Sequence, residues 1–98
     1  MYLKIHETRN GRIVAACDSE LLGRILDDGK AYLDLKAHRE FYEGKQAKED
    51  DLKEALARFT SANLVGKKAV SVALEMDLAD EESIIYINKV PHIQLYKI

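Results

Sequence analysis

Asn10-Gly11 lies between two short runs rich in strand-forming residues, YLKIHETR and RIVAACD, and no other feature of this chain narrows its fold as much. The dipeptide readily takes the two positive φ values of a type I′ turn, so residues 2–18 read as a hairpin. With a two-residue loop, Ile5 lies opposite Ala16, His6 opposite Ala15 and Glu7 opposite Val14. Leu3, Ile5, Val14 and Ala16 then share the more apolar side, which should meet the core.

A second hairpin closes the chain. ESIIYINKVPHIQLYKI, residues 82–98, is β-branched and aromatic on both sides of Asn88 to Pro91, and Pro91 suits a strand start or an edge. A turn centred on Lys89-Val90 pairs Ile87 with His92, Tyr86 with Ile93, Ile85 with Gln94 and Ile84 with Leu95. Ile84, Tyr86, Ile93 and Leu95 form its core side. Opposite them lie Ile85, Ile87, His92, Gln94 and Tyr96, and the matching side of the first hairpin carries His6, Ile13, Ala15 and Cys17.

Between the hairpins the period changes. After Asp18, a good N-cap, SELLGRILDDG spaces Leu21, Leu22, Ile25 and Leu26 as a short helix does, with Gly29 suited to end it. KAYLDLK, residues 30–36, alternates as a half-buried strand. Residues 37–48 have no clean period and read as a surface loop with room for one helical turn. EDDLKEALARFTSA then places Leu52, Ala55, Leu56 and Phe59 on one helical face, with acids at its start as the helix dipole prefers. A second stripe of Val65, Ala69, Val72, Ala73 and Met76 follows, which predicts another helix capped by Asn63. The order is ββαβααββ, and it predicts one α+β domain over residues 1–98: two layers, a largely antiparallel sheet with helices on one face.

Composition narrows the function. Ninety-eight residues with 15 basic and 17 acidic side chains, mixed along the chain, lack the broad cationic footprint of a duplex-binding protein. No apolar run reaches the length of a membrane span and no leader pattern opens the chain, so a cytoplasmic protein with no membrane and no DNA partner is expected. The single cysteine, Cys17, fits a reducing compartment.

Gly66-Lys67-Lys68, at the mouth of an apolar run, resembles part of a phosphate cradle. The match to a P-loop fails at Ser61, where a glycine is needed, at Lys68, where a hydroxyl is needed, and in the helix expected before it, where a strand is needed. A helix N-terminus beside Lys67 and Lys68 still favours an anion or an RNA phosphate, with Asn63, Gly66, Arg9 and Arg12 as further candidate contacts. The helix, turn and helix from about residue 50 to 77 also suggest a DNA reader, but Glu75 and Asp77 would repel phosphate along the recognition helix.

His6 and Cys17 form a second candidate, a polar site lying diagonally on one hairpin face and within reach of each other. Two ligands do not make a zinc site, no CxxC or HxxxH is present, and no metal or cofactor is expected. The clusters Asp27-Asp28, Glu49-Asp50-Asp51 and Asp80-Glu81-Glu82 fall at helix ends or loops as caps and solvating groups. Phe41 and Tyr42 either anchor their loop on the core or present a binding surface.

The segments KIHE (4–7), CDSELLG (17–23), FYEG (41–44), SANLVGKKAV (61–70) and VPHIQLYKI (90–98) resemble, in this order, the small archaeal domain-of-unknown-function family numbered 424. The resemblance implies an archaeal cytoplasmic protein of two-layer α/β type and brings no activity, cofactor or catalytic residue with it.

Three readings of function follow. The first is a non-enzymatic binding or assembly module whose sheet edge or second face docks a partner. The second is a weak RNA- or ribosome-associated protein using Lys4, Arg9, Arg12, Lys67, Lys68 and Lys97. The third is a small-molecule enzyme around His6, Cys17 and His92. The face carrying Ile85, Ile87, His92, Gln94 and Tyr96 is too apolar for a solvated one, and three helices can cover only one side of so small a sheet. It is therefore expected to be an interface, most simply that of a two-fold homodimer.

Overall fold

The computed structural model describes residues 1–97. Its first hairpin joins β1 (Tyr2–Thr8) to β2 (Gly11–Cys17), but through Arg9-Asn10: Thr8 pairs with Gly11 and Ile5 with Val14, two residues away from the expected register. Gly11 has a positive φ of 133° and is placed by packing rather than by the turn centre. A Cβ on it would lie 1.9 Å from Thr60 Oγ1, the atom that accepts a hydrogen bond from Arg12 N at 3.1 Å. Because side chains alternate with period two, the slip leaves every residue on its expected face.

The next segment departs further. Ser19–Leu21 is one turn of 3-10 helix, and the chain then forms a small hairpin of β3 (Ile25–Asp27) and β4 (Tyr32–Asp34), a separate two-stranded sheet. The Asp27-Asp28-Gly29 run, expected to end a helix, makes the turn instead. Asp28 Oδ1 accepts from Lys30 N at 3.1 Å and Ala31 N at 2.9 Å, an acidic side chain doing the work of a backbone turn. The one helical turn anticipated in the following loop is α1 (Arg39–Tyr42), and β5 (Lys45–Gln46) follows it along β1.

α2 (Glu49–Ala55) begins where its acids suggest, with Lys48 N donating to Asp51 Oδ2 at 2.8 Å. It ends earlier than expected, and SANLV is not helical: β6 (Ser61–Val65) runs parallel to β2. α3 (Lys67–Glu75) starts after Gly66, so Asn63 sits in a strand and caps nothing. After one more 3-10 turn, β7 (Ile85–Ile87) and β8 (Val90–Tyr96) form the closing hairpin. Its turn is Asn88-Lys89, both at positive φ (51° and 67°), so Ile87 pairs with Val90 and Ile85 with His92, again two residues from expectation.

The expected class holds. The six strands run in the order β5-β1-β2-β6-β8-β7, antiparallel except for β2 against β6, and the expected elements occur in sequence with β3, α1, β5 and β6 added among them. α2 and α3 lie on one face, where Leu52, Leu56, Val70 and Val72 pack on Leu3, Val14, Leu64 and Ile93. Burying each such side chain contributes about 1.5–3 kcal/mol. The other face is where the expectation fails. Residues 19–44 fold back over it, and Leu21, Leu26, Leu35 and Tyr42 bury Ala15, Cys17, Val65 and Ile87. Ile87, offered above as part of an open interface, is 3% exposed. The chain supplies its own cover, a thin third layer that the helical reading of residues 18–29 had hidden.

A candidate ligand cavity between the sheet and α1

Strand register decides which polar groups meet on the second face. β6 pairs with β8 so that Asn63 lies opposite Gln94 and Val65 opposite His92. Gln94 Nε2 donates to Asn63 Oδ1 at 3.0 Å. Leu33 of β4 and His38, Phe41 and Tyr42 at α1 close over this part of the sheet, and together they enclose a cavity of about 270 Å3 lined also by His92. A mostly apolar recess with a few convergent polar groups is the usual form of a small-ligand site.

His92 is the distinctive member. Its Nε2 is buried and, among the described residues, is the one buried side-chain polar atom with no protein group to bond. Burial lowers the pKa of the ring from its usual 6.5, so it is neutral at pH 7. An orphaned buried polar atom costs free energy comparable to a lost hydrogen bond, which makes its position informative.

His6 and Cys17 both serve this wall of the molecule and do not meet each other. His6 Nε2 donates to the Phe41 carbonyl at 2.9 Å and its ring stacks on Phe41 with centroids 4.7 Å apart, fixing α1 over β1. Phe41 meets Tyr42 edge to face at 5.0 Å. Cys17 pairs with Tyr2 at the opposite end of β1 from His6, a separation of four residues or roughly 13 Å along the strand. Burial and the neighbouring Asp18 and Glu20 push the thiol up to about 12, and its Sγ donates to the Asp18 carbonyl at 3.3 Å. A protonated, buried thiol is neither a nucleophile nor a metal ligand. The proposed triad of His6, Cys17 and His92 is therefore not assembled, and no group of three or more metal-ligating residues occurs among the described residues.

The Gly66-Lys67-Lys68 segment is a correction of a different kind. It does follow a strand and open a helix, the arrangement phosphate cradles use, so one of the three grounds for setting that reading aside falls. The amides are nonetheless taken. Asp18, itself 3% exposed, accepts from Lys68 N and Ala69 N, each at 3.0 Å, so the chain provides its own anion. Gly66 makes room for it: a Cβ there would lie 2.3 Å from Asp18 Cγ.

The expected cationic contacts separate. Lys67 and Lys68 sit at the Val65 end of β6, whereas Arg12 reaches the Ser61 end, where it lines a cleft of about 400 Å3 with Arg58, Phe59, Thr60 and Lys97. Lys97 Nζ lies 5.7 Å from the Phe59 ring centroid, and Arg12 pairs with Glu7. Arg9 is in the adjoining turn. Of the expected interface, Ile85 and Tyr96 remain 55% and 72% exposed, Gln94 is exposed and His92 half-buried. Leu33 and His38 carried no functional signal in the sequence; Leu33 showed only strand alternation and His38 none.

Fold and cavity together define a small α+β protein with a mostly antiparallel six-stranded sheet, roofed by helices on one side and by a short hairpin and α1 on the other. The chain belongs to the family described as "Protein of unknown function (DUF424)", which it matches over residues 5–98. It is similar to a solved structure described as "Crystal structure of an uncharacterized conserved protein from Methanopyrus kandleri", at 32% identity and a TM-score of 0.77, over 97% of this chain and 89% of that one. No curated protein matches it.

Proposed function

We propose that this chain is a non-enzymatic binding module whose binding site is the cavity between the sheet and α1. The observation that carries the reading is the mostly apolar recess itself, whose wall brings His92, Asn63, Gln94 and the Phe41 ring together. A neutral imidazole and two primary amides recognise a ligand through hydrogen bonds; no buried acid or activated nucleophile lines the same recess, so binding is what these groups do best. The reading takes the protein to be archaeal and cytoplasmic, which the Methanopyrus kandleri relative and the single unpaired cysteine support; no described helix is long and apolar enough to cross a membrane. Protein-observed NMR against a library of small heterocycles and amides tests it. At millimolar fragment concentration, some members should shift the His92 ring and the Asn63 and Gln94 side-chain amides, and His92→Phe should abolish those shifts. A library that leaves all three unmoved refutes the site.

RNA association is the second reading, favoured by the cleft that Arg12, Arg58 and Lys97 share with Phe59. Phosphate-dominated affinity falls steeply with salt, so single-stranded RNA that fails to bind even at low ionic strength eliminates it.

A further inference from the structure

We infer that the cleft at the Ser61 end of β6 is a site for a phosphate monoester, a doubly charged terminal phosphate rather than the singly charged phosphate of a nucleic-acid backbone. The inference takes the cleft of the RNA reading, rests on that cleft binding anions, and names the anion it fits. The cavity beside His92 shares no lining residue with it.

Thr60 fixes the rim of the cleft. Arg12 N donates to its Oγ1 at 3.1 Å, its own N donates to the Arg12 carbonyl at 2.8 Å, and Lys97 N donates to its carbonyl at 2.8 Å. The start of β2 and the residue after β8 are thereby held against the segment that also carries Arg58, and three cationic side chains line one recess of about 400 Å3. Glu7 is the one acid in that lining and it pairs with Arg12, whereas Arg58 and Lys97 meet no carboxylate among the described residues. Three cations against one acid leave the lining with two surplus positive charges, although the whole chain carries a formal net charge of -2. Like charges held together repel, so an anion entering there gains from all of them at once. The size of the surplus selects the anion. A phosphate monoester carries about −1.5 to −2 charges at pH 7 and three acceptor oxygens, which answers two surplus charges and three donor side chains. A backbone diester carries one charge, as a carboxylate does, and leaves part of the surplus unanswered. Arg12 and Arg58 supply planar forks suited to phosphate oxygens, and Lys97 supplies a point charge. Lys97 Nζ also lies 5.7 Å from the Phe59 ring centroid, so that ring carries a cation where a stacking base would need it bare, and phosphate is the group the cleft favours. The same terminal phosphate belongs to a free sugar phosphate or to the 5′ end of an RNA strand.

Two-dimensional NMR on the full chain tests this by following the Gly11, Arg12 and Thr60 amides and the arginine Nε–H signals. The probes are ribose 5-phosphate, dimethyl phosphate, and a hexaribonucleotide with and without a 5′-phosphate. Ribose 5-phosphate should shift these signals and bind about tenfold tighter than dimethyl phosphate, because its second charge meets a surplus of opposite sign. Arg58→Gln and Lys97→Gln should each weaken that binding about tenfold. Both positions are exposed, and Lys97 bonds Thr60 through its backbone, which the substitution keeps. A phosphorylated strand that binds tighter than both ribose 5-phosphate and its unphosphorylated twin identifies an RNA end as the source. A phosphorylated strand that binds no tighter than ribose 5-phosphate identifies a free sugar phosphate. If dimethyl phosphate or the unphosphorylated strand binds as tightly as ribose 5-phosphate, the monoester assignment is overturned and the cleft stands as the backbone site of the RNA reading. If no probe shifts the signals, the cleft is lost to both readings.

Discussion

Replacing Gly66 by alanine perturbs the junction where strand, helix and buried acid meet. Gly66 has φ 106° and ψ 159°, a region essentially reserved for glycine, and forcing a side chain into it costs about 1–3 kcal/mol. The added Cβ would also lie 2.3 Å from Asp18 Cγ and 2.5 Å from Oδ2, so the carboxyl must move away from the helix. Moving it strands Ala69 N, which is buried, at about 1–3 kcal/mol; Lys68 N is partly exposed and recovers some of its loss from water. The sum is about 2–6 kcal/mol, a large share of a domain's usual margin of about 5–15 kcal/mol. Urea unfolding measures it, with Asp18→Ala and the double variant alongside. Because Asp18→Ala already forfeits the amide bonds, the double variant should lose at least about 1 kcal/mol less than the two singles added. A Gly66→Ala protein within about 1 kcal/mol of wild type would refute the argument that this glycine is kept for the fold, and would return the segment to the list of ligand sites.

Ile87→Glu buries a carboxylate where Ile87 is 3% exposed and should destabilise by at least about 3 kcal/mol, while Ile85→Glu, at 55% exposure, should stay within about 0.5 kcal/mol. Urea unfolding separates these, and light scattering on Ile85→Glu tests whether Ile85 and Tyr96 support association; an Ile87→Glu protein of native stability sinks the covering-layer account. Cys17 is raised in the fold from 9.0 to about 12, so its contribution is complete below pH 9 and is lost as pH rises through that window; Cys17→Ala should flatten the alkaline decline, and an unchanged slope contradicts the assignment. His92 is lowered from 6.5 by burial, so the stability it confers is present above pH 6.5 and lost as pH falls; His92→Phe should flatten the acid limb of the stability curve, and a wild-type slope in that variant would show another group is responsible.

The faces of both hairpins and the apolar stripes of α2 and α3 were legible in the sequence because each repeats a period over several residues. Residues 18–29 were not. Leu21, Leu22, Ile25 and Leu26 fit a helix by spacing alone, but Gly23 has φ 88° and the acidic side chains at 27 and 28 bond the backbone of their own turn, so local chemistry overrides the period. The cover on the second face vanished with that misreading. The site was partly visible: His92 and Gln94 were placed on the right face, and Phe41 and Tyr42 were recognised as either anchors or surface. Tyr42 anchors and Phe41 does both. Asp18 looked like a local cap, and nothing in the sequence tied it to amides 50 residues later.

Strand parity explains why some errors were harmless and one was not. Both hairpins were expected two residues out of register, which moves partners and leaves faces unchanged, so His6 stayed on the second face while its supposed partner Cys17 moved two residues along the strand, to a place four residues from His6. The break between two helices expected at Ser61–Asn63, where β6 in fact runs, removed a row from the middle of the sheet. With it went the link between β2 and β8 and the position from which Asn63 faces Gln94. Asn63 meets Gln94 because five residues with a single β-branched member lie parallel to β2, held by neighbours on both sides. Central strands draw their stability from such pairing rather than from propensity, which is why the residue most needed to build the cavity sat in the segment least able to announce its own conformation.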